Sequence, residues 1–305
     1  MKAIVTTTIN PITKAIQRFQ EMQDWTLVVA GDLKTPRDYA LERGIYLTPA
    51  NQDEIDKDLS DLVGWNCIQR RNFAILKALK MGAEIICLVD DDNIPLDNWG
   101  KNLYLTASQS FKSFETQEVA FDPIGATNHG NLWHRGFPLQ LIPNRRYLET
   151  KTIQFKPSIQ ADFWNGDPDI DAICRMQFRP ECDFDDKDFP FTSNAMAPFN
   201  SQNTFLTREA AVDYFLFPHI GRMDDIWAAY YVQALGHTVV FGAPTVYQER
   251  NPHNLIEDMK KEYIGYENNL KLIYALRENP DSIETFLPER SKKAWQRYRE
   301  IVSNL

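Results

Sequence analysis

The sequence predicts an α/β fold, a mixed but mostly parallel sheet flanked by helices, and three observations predict it. Strand-length apolar runs alternate with helical patterns through the first hundred residues. One of these runs, residues 85–89, stops abruptly in three carboxylates, Asp90, Asp91 and Asp92. Open sheets of this class gather ligands at the carboxyl ends of their strands. The composition, 43% hydrophobic and 25% charged over 305 residues, is that of a globular chain with a sizeable core.

The elements follow in order. Residues 3–7 are β-rich and end at the Asn10-Pro11 turn. Ile12, Ile16, Phe19 and Met22 then share one helical face. Residues 25–30 (WTLVVA) form a second strand, closed by Gly31-Asp32, and residues 45–47 a brief third before Thr48-Pro49. Residues 66–81 have helical spacing and end at Gly82, a natural C-cap. The strand into Asp90 follows directly. From 121 to 204 the chain is rich in Asn, Asp, Pro, Phe and Trp and lacks periodicity, as a substrate-binding face does. Residues 208–217 and 224–235 read as helices, the second capped by Gly236, and 238–242 as a strand. Residues 254–305 read as a polar C-terminal helical extension, broken at Pro280 and Pro288.

Composition also excludes. A net charge of −9 argues against nucleic acid or an anionic membrane as the main partner. Four cysteines without a CxxC pair point to reduced thiols. With no signal-like N-terminus and no 18-residue apolar run, the expectation is a soluble cytoplasmic protein without a membrane span. There is no GxGxxG or Walker loop, no HxH or HxxxH, and no GxSxG elbow.

Four constellations could carry chemistry. The acid triplet suits Mg²⁺ or Mn²⁺ held by one or two carboxylates plus substrate phosphates, with a solvated acidic turn as the alternative. Asp224-Asp225 opens a helix; it is either a capping pair, or a general base or a carboxylate oriented toward an acceptor or the metal. Arg135, before Gly136-Phe137-Pro138, offers a bidentate partner for a diphosphate unless it is an ordinary surface arginine. Arg70-Arg71 and Arg145-Arg146 are further cations of the same kind. The run Trp164-Asn165-Gly166-Asp167-Pro168-Asp169-Ile170-Asp171 combines acids with an aromatic ring, as sugar sites do. A calcium loop would need a glycine and a glutamate that this register lacks, and a plain acidic loop is the simpler competitor.

Taken in order, Asp90–Asp92, Arg135–Pro138, Trp164–Asn165 with Asp167, Asp169 and Asp171, and Gly221–Trp227 resemble the successive motifs of the reversibly glycosylated polypeptides, the UDP-arabinopyranose mutases. The first hundred residues, notably 26–36, are also similar to STELLO-type glycosyltransferases. The resemblance implies a GT-A fold over residues 1–253, with a nucleotide half (1–120) and an acceptor half (121–253). It implies a nucleotide-diphosphate sugar as ligand, a UDP-sugar foremost, and an acceptor that the sequence does not identify. Asp90 and Asp92 would hold Mn²⁺ or Mg²⁺. Thr6, Thr7, Thr8, Asn10 and Asp32 would meet base and ribose. Arg70, Asp91, Trp164, Asn165, Asp167 and Asp169 complete the expected substrate contacts, and Asp224, Asp225 and Arg135 the catalytic ones. Arg135 matches the arginine that the mutases glycosylate. Two positions depart from that family: Ile142 stands where a second arginine is expected, and Gln248 replaces a late histidine, leaving His253 as the substitute metal ligand. The expected activity is a metal-dependent glycosyltransferase; a sugar-nucleotide mutase and a non-catalytic sugar-nucleotide-binding protein are the alternatives. A homo-oligomer is compatible with all three.

Overall fold

The computed structural model describes residues 1–145, 149–249 and 254–305, so His253 and Arg146 lie outside the described residues. In chain order its elements are β1 (Lys2–Thr7), α1 (Lys14–Gln20), β2 (Trp25–Ala30), β3 (Ile45–Leu47), α2 (Pro49–Ile55), α3 (Lys57–Val63), α4 (Arg71–Lys80), β4 (Ile85–Val89), β5 (Asn93–Pro95), β6 (Gln109–Glu115), β7 (Glu149–Phe155), β8 (Ile159–Gly166), α5 (Ala172–Phe178), β9 (Phe191–Ser193), β10 (Asn203–Thr207), α6 (Arg208–Asp213), α7 (Asp224–Ala234), β11 (Val239–Gln248), α8 (Leu255–Glu278) and α9 (Glu289–Val302).

The strands join one sheet in the order β3-β2-β1-β4-β10-β8-β11-β9-β6-β7, with β5 pairing β11. The first four are parallel, as continuous apolar runs covered on both faces require. Phe73, Ala74, Ile75 and Leu79 of α4 supply the cover on one side. Beyond them β10 runs antiparallel between β4 and β8, and the sheet becomes mixed.

The segment 121–204 is less irregular than its composition suggests, since it contributes β8 to the middle of the sheet. Both faces of β8 are covered, so it shows no alternation to read. In the adjoining β10, Asn203 is buried yet satisfied. Its amide donates to the carbonyl of Phe163 (3.0 Å) and to the hydroxyl of Thr245 (2.8 Å), and its oxygen accepts from Trp99 (3.1 Å). Helices α2 and α3 also carry no strong pattern. Capping fixes them: Thr48 and Asn51 form a capping box, and Asp56 accepts from the N–H of Leu59. The helix expected over 66–81 begins properly at Arg71, after a 3-10 turn, and that expected over 208–217 stops at Asp213. β11 runs well past 242, through an irregularity between Gly242 and Val246.

The C-terminal helices are packed elements. α8 lies on α5 and α7, and α9 on α3, where Arg297 Nη2 meets Asp56 at 2.6 Å. No described helix is long and apolar enough to cross a membrane.

Arg70 corrects one expectation. It is fully buried, donating to Gln52 (2.8 Å), to the carbonyls of Ser60 and Gly64 (3.2 Å each) and to the Ser60 hydroxyl (3.2 Å). Its guanidinium lies 3.6 Å from the ring centroid of Trp65 and 4.2 Å from that of Phe73. With four N–H groups bonded to protein and no exposed surface, Arg70 ties α2, α3 and α4 together and does not face a phosphate. Arg70→Leu should therefore lower stability by about 3 kcal/mol, because it strands several buried acceptors. Urea unfolding checks this; an unchanged midpoint would show that Arg70 does not hold the junction.

A carboxylate-lined cavity as candidate active site

The acid triplet bridges two strand pairings. Val89 is still paired with Asn203, and Asn93 rejoins the sheet opposite Gln248. Asp90, Asp91 and Asp92 span the gap, and their side chains diverge. Asp91 turns to the β1–α1 loop, accepting from the hydroxyl of Thr8 and the amide of Asn10 (3.0 Å). Asp90 and Asp92 line a cavity of about 200 Å³ together with Arg135, Asp169, Asp224 and Asp225. Asp90 receives Arg71 Nη2 at 2.5 Å, while the other terminal nitrogen of Arg71 donates to the carbonyl and hydroxyl of Ser201 (2.7 Å each). Burial pushes the Asp90 carboxyl above its ordinary range, and Arg71 offsets this only in part.

Arg135 is the hub. Its Nε donates to Asp169 (2.9 and 3.1 Å), and its Nη2 to Asp169 Oδ2 (2.9 Å) and Asp225 Oδ2 (3.0 Å). Its Nη1 donates to Asp225 Oδ1 (3.0 Å) and to the carbonyl of Arg222. All five guanidinium N–H groups have protein acceptors. Burial opposes its charge, but Asp169 and Asp225 outweigh that and hold it protonated. The backbone beside it is fixed as well. Gly136 has φ +90, and a Cβ there would stand 2.3 Å from Ile226, so only glycine lets this turn lie against α7. The carbonyl of Gly136 accepts from Tyr230 (3.1 Å) and Asn269 (2.8 Å).

The two acids that open α7 are not equivalent. Asp225 is engaged by Arg135 and by the N–H of Ser201 (3.0 Å). Asp224 accepts from Gln69 Nε2 at 2.7 Å, and its carboxyl is pushed up to about 7, first by burial and then by Asp225. The helix N-terminus favours its charge by at most about 2 kcal/mol, which does not overcome desolvation.

Other expected residues fall elsewhere. Asp32 accepts from the N–H groups of Leu33 (2.6 Å), Asn66 (2.8 Å) and Cys67 (3.0 Å), and so pins the loop before α4. Thr6 is buried and Thr7 donates to the carbonyl of Ala30 (2.7 Å). Trp164 is 3% exposed, stacked on Phe163 and edge-on to His134; it is a core residue and offers no open face to a sugar ring. Asn165 holds the 183–184 turn, and Asp167 pairs with Arg175 at 2.5 Å. Asp171 caps α5. From that acidic run only Asp169 enters the cavity. Nothing in the sequence marks Gln69, Ser201 or Gln202 as site residues; Gln248 stands out only as a replacement, and Arg71 only as half of a doublet whose roles the sequence does not separate.

A preformed metal centre is not present: among the described residues, no group of three or more His, Cys, Asp or Glu side chains is placed to hold an ion by itself. Two carboxylates opening on a cavity with five carboxylates and two arginines in its lining do fit a hard divalent cation that takes its remaining oxygens from a phosphorylated ligand.

No family model matches the chain. It is 25% identical over 302 residues to "Probable glycosyltransferase STELLO2" of Arabidopsis thaliana, covering 90% of this chain and 39% of that protein. It is 24% identical over 266 residues to "Probable glycosyltransferase STELLO1", covering 77% and 33%. The similarity expected for the first hundred residues thus extends to nearly the whole chain, which spans less than half the length of these relatives. Two crystal structures of glucosyl-3-phosphoglycerate synthase from Mycobacterium tuberculosis, one with Mn²⁺, UDP and phosphoglyceric acid and one with Mn²⁺ and UDP-glucose, are 13% identical. Their TM-scores are 0.48 and 0.45, covering 90% and 88% of this chain and 78% of each of theirs. That likeness is too remote to define a function.

Asp162 gives a pH test of the polar interior. It lies in β8 with hydrogen bonds from Gln160 (2.8 Å) and Thr245 (3.0 Å), and burial pushes it up to about 7 from 3.8. The folded state keeps this proton up to about pH 7, whereas the unfolded chain releases it near 3.8. Stability must therefore fall as pH rises through that window and level off above it, by about 1 kcal/mol per pH unit from this group. Asp162→Asn should flatten the decline, measured by urea unfolding at pH 5 and pH 8; an unchanged slope would contradict the assignment.

Proposed function

We propose that the protein is a glycosyltransferase that uses a nucleotide-diphosphate sugar, a UDP-sugar foremost, with Mn²⁺ or Mg²⁺. One observation carries the reading: Asp90, Asp92, Asp169, Asp224 and Asp225 come from three separate segments to one cavity around a buried arginine. The similarity to proteins named as glycosyltransferases agrees with it.

Asp90 and Asp92 would hold the cation, which when bound supplies positive charge to the leaving diphosphate. The loop of Thr8 and Asn10, tied to Asp91, borders the donor's nucleotide side. Asp224 is the general base. Its raised carboxyl is matched to proton transfer near neutrality, and Gln69 fixes its orientation. The acceptor hydroxyl gives its proton to Asp224 as its oxygen bonds to the anomeric carbon, and the bond from that carbon to the diphosphate oxygen breaks. Asp225 and Arg135 position this base. With all five N–H groups engaged, Arg135 has no donor left for a phosphate or a sugar, which disfavours the mutase alternative.

With UDP-glucose and Mn²⁺, kcat/KM should rise with pH up to about 7 and then level, as ionisation of Asp224 requires. Asp224→Asn should lower kcat by about 10²–10⁴-fold and remove that rise; normal turnover in this variant would sink the assignment. Chelation should abolish turnover, and Asp92→Asn should raise the Mn²⁺ requirement. Intact mass should not change after incubation with UDP-glucose. A sugar-sized adduct that disappears in Arg135→Lys would favour the mutase instead.

A further inference from the structure

Next to the carboxylate cavity, sharing Ile68, Gly221 and Arg222 with it, lies a separate open cleft of about 760 Å³. Its charge is opposite. Lys261 and Arg290 face it without an ion pair to another described residue, while the two other charged groups of its lining are already paired, Arg222 with Glu262 and Asp258 and Asp61 with Lys57. In a chain of net charge −9, such a lining is a local reversal of field.

Two of the three cations are held by protein partners. Arg222 is anchored by Glu262 at 2.8 Å and Asp258 at 3.7 Å, so Lys261 and Arg290 carry the positive charge of the cleft. Arg290 donates to the carbonyls of Leu62 (3.0 Å) and Asp61, which fix its direction without neutralising it. The approach of α8 that sets Lys261 at the rim depends on Gly221, where a Cβ would stand 2.0 Å from the carbonyl of Lys261. Two non-glycine residues beside this cleft, Asn66 and His219, hold positive φ (59 and 67), a conformation that costs energy and clusters at functional sites.

The cleft also reaches the reacting centre. Gln69 lines it, and the amide of Gln69 holds the Asp224 carboxylate. We infer that the cleft seats an anionic acceptor, a phosphate- or carboxylate-bearing compound. Its charged group lies among Arg222, Lys261 and Arg290, and its hydroxyl is presented to Asp224. This rests on the reading of Asp224 as the base. The same cations would also suit the donor's diphosphate, so the test must separate the two sources.

Binding of inorganic phosphate, without metal or nucleotide, is measured by calorimetry on the whole chain. Wild type and Asp92→Asn should bind it within about twofold of each other, since the carboxylate cavity is not the anion site. Lys261→Glu, an exposed change with no side-chain partner among the described residues, should weaken phosphate binding at least about tenfold. The same variant should leave the binding of UDP-glucose with Mn²⁺ unchanged. Absence of phosphate binding to wild type, or indifference to Lys261→Glu, overturns the inference. Parallel loss of UDP-glucose binding in Lys261→Glu also overturns it, assigning the cations to the donor diphosphate. Phosphate binding without any binding of UDP-glucose and Mn²⁺ would instead refute the transferase reading, and the acceptor role with it, while leaving the anion site standing.

Discussion

One buried guanidinium holds the site together. Arg135 joins Asp169, from the loop after β8, to Asp225, at the start of α7, and reaches the backbone at Arg222. Burying two carboxylates is tolerable only because their oxygens are also served by Asn200 (2.9 Å) and the N–H of Ser201 (3.0 Å). Removal of the arginine would leave two uncompensated charges, a loss of about 3–5 kcal/mol. The arrangement also divides labour at α7: Asp225 is spent on the clamp, and Asp224, one residue earlier, remains as the desolvated carboxyl that faces the cavity.

Much of the first hundred residues was legible because the physics there is local. A short apolar run bounded by turn residues reads as a buried strand, and β2 and β3 fall on the expected residues. Asp90, Asp92, Arg135, Asp169 and Asp224-Asp225 stand out in the sequence as polar constellations, and their side chains line one cavity. What the sequence could not supply was direction. Nothing in three successive aspartates says that the middle one turns to Thr8 while its neighbours face the cavity. Likewise Arg70 and Arg71 look alike until the helix start rotates one into the α2–α3 core and the other onto Asp90. Trp164 misled for a related reason: an aromatic beside acids suits a sugar platform, but strand pairing with Val246 puts it in the core.

The C-terminal helices change meaning once contacts are known. As sequence they are a polar extension. In the fold, α8 brings Glu262, which anchors Arg222, whose carbonyl in turn accepts from Arg135. α8 and α9 also carry Lys261 and Arg290 to the cleft beside the cavity. The carboxylate cavity and the cleft thus share Ile68, Gly221 and Arg222, and the C-terminal helices support both.

The central claim is that Asp90 and Asp92 open on a place where a divalent cation and a sugar-nucleotide diphosphate bind together. Electron paramagnetic resonance of Mn²⁺ tests it without relying on turnover. The six-line signal of free Mn²⁺ should fall sharply when UDP-glucose is added to wild-type protein, and much less when it is added to Asp92→Asn. The same loss of signal in both proteins would contradict the claim, and so would no loss in wild type.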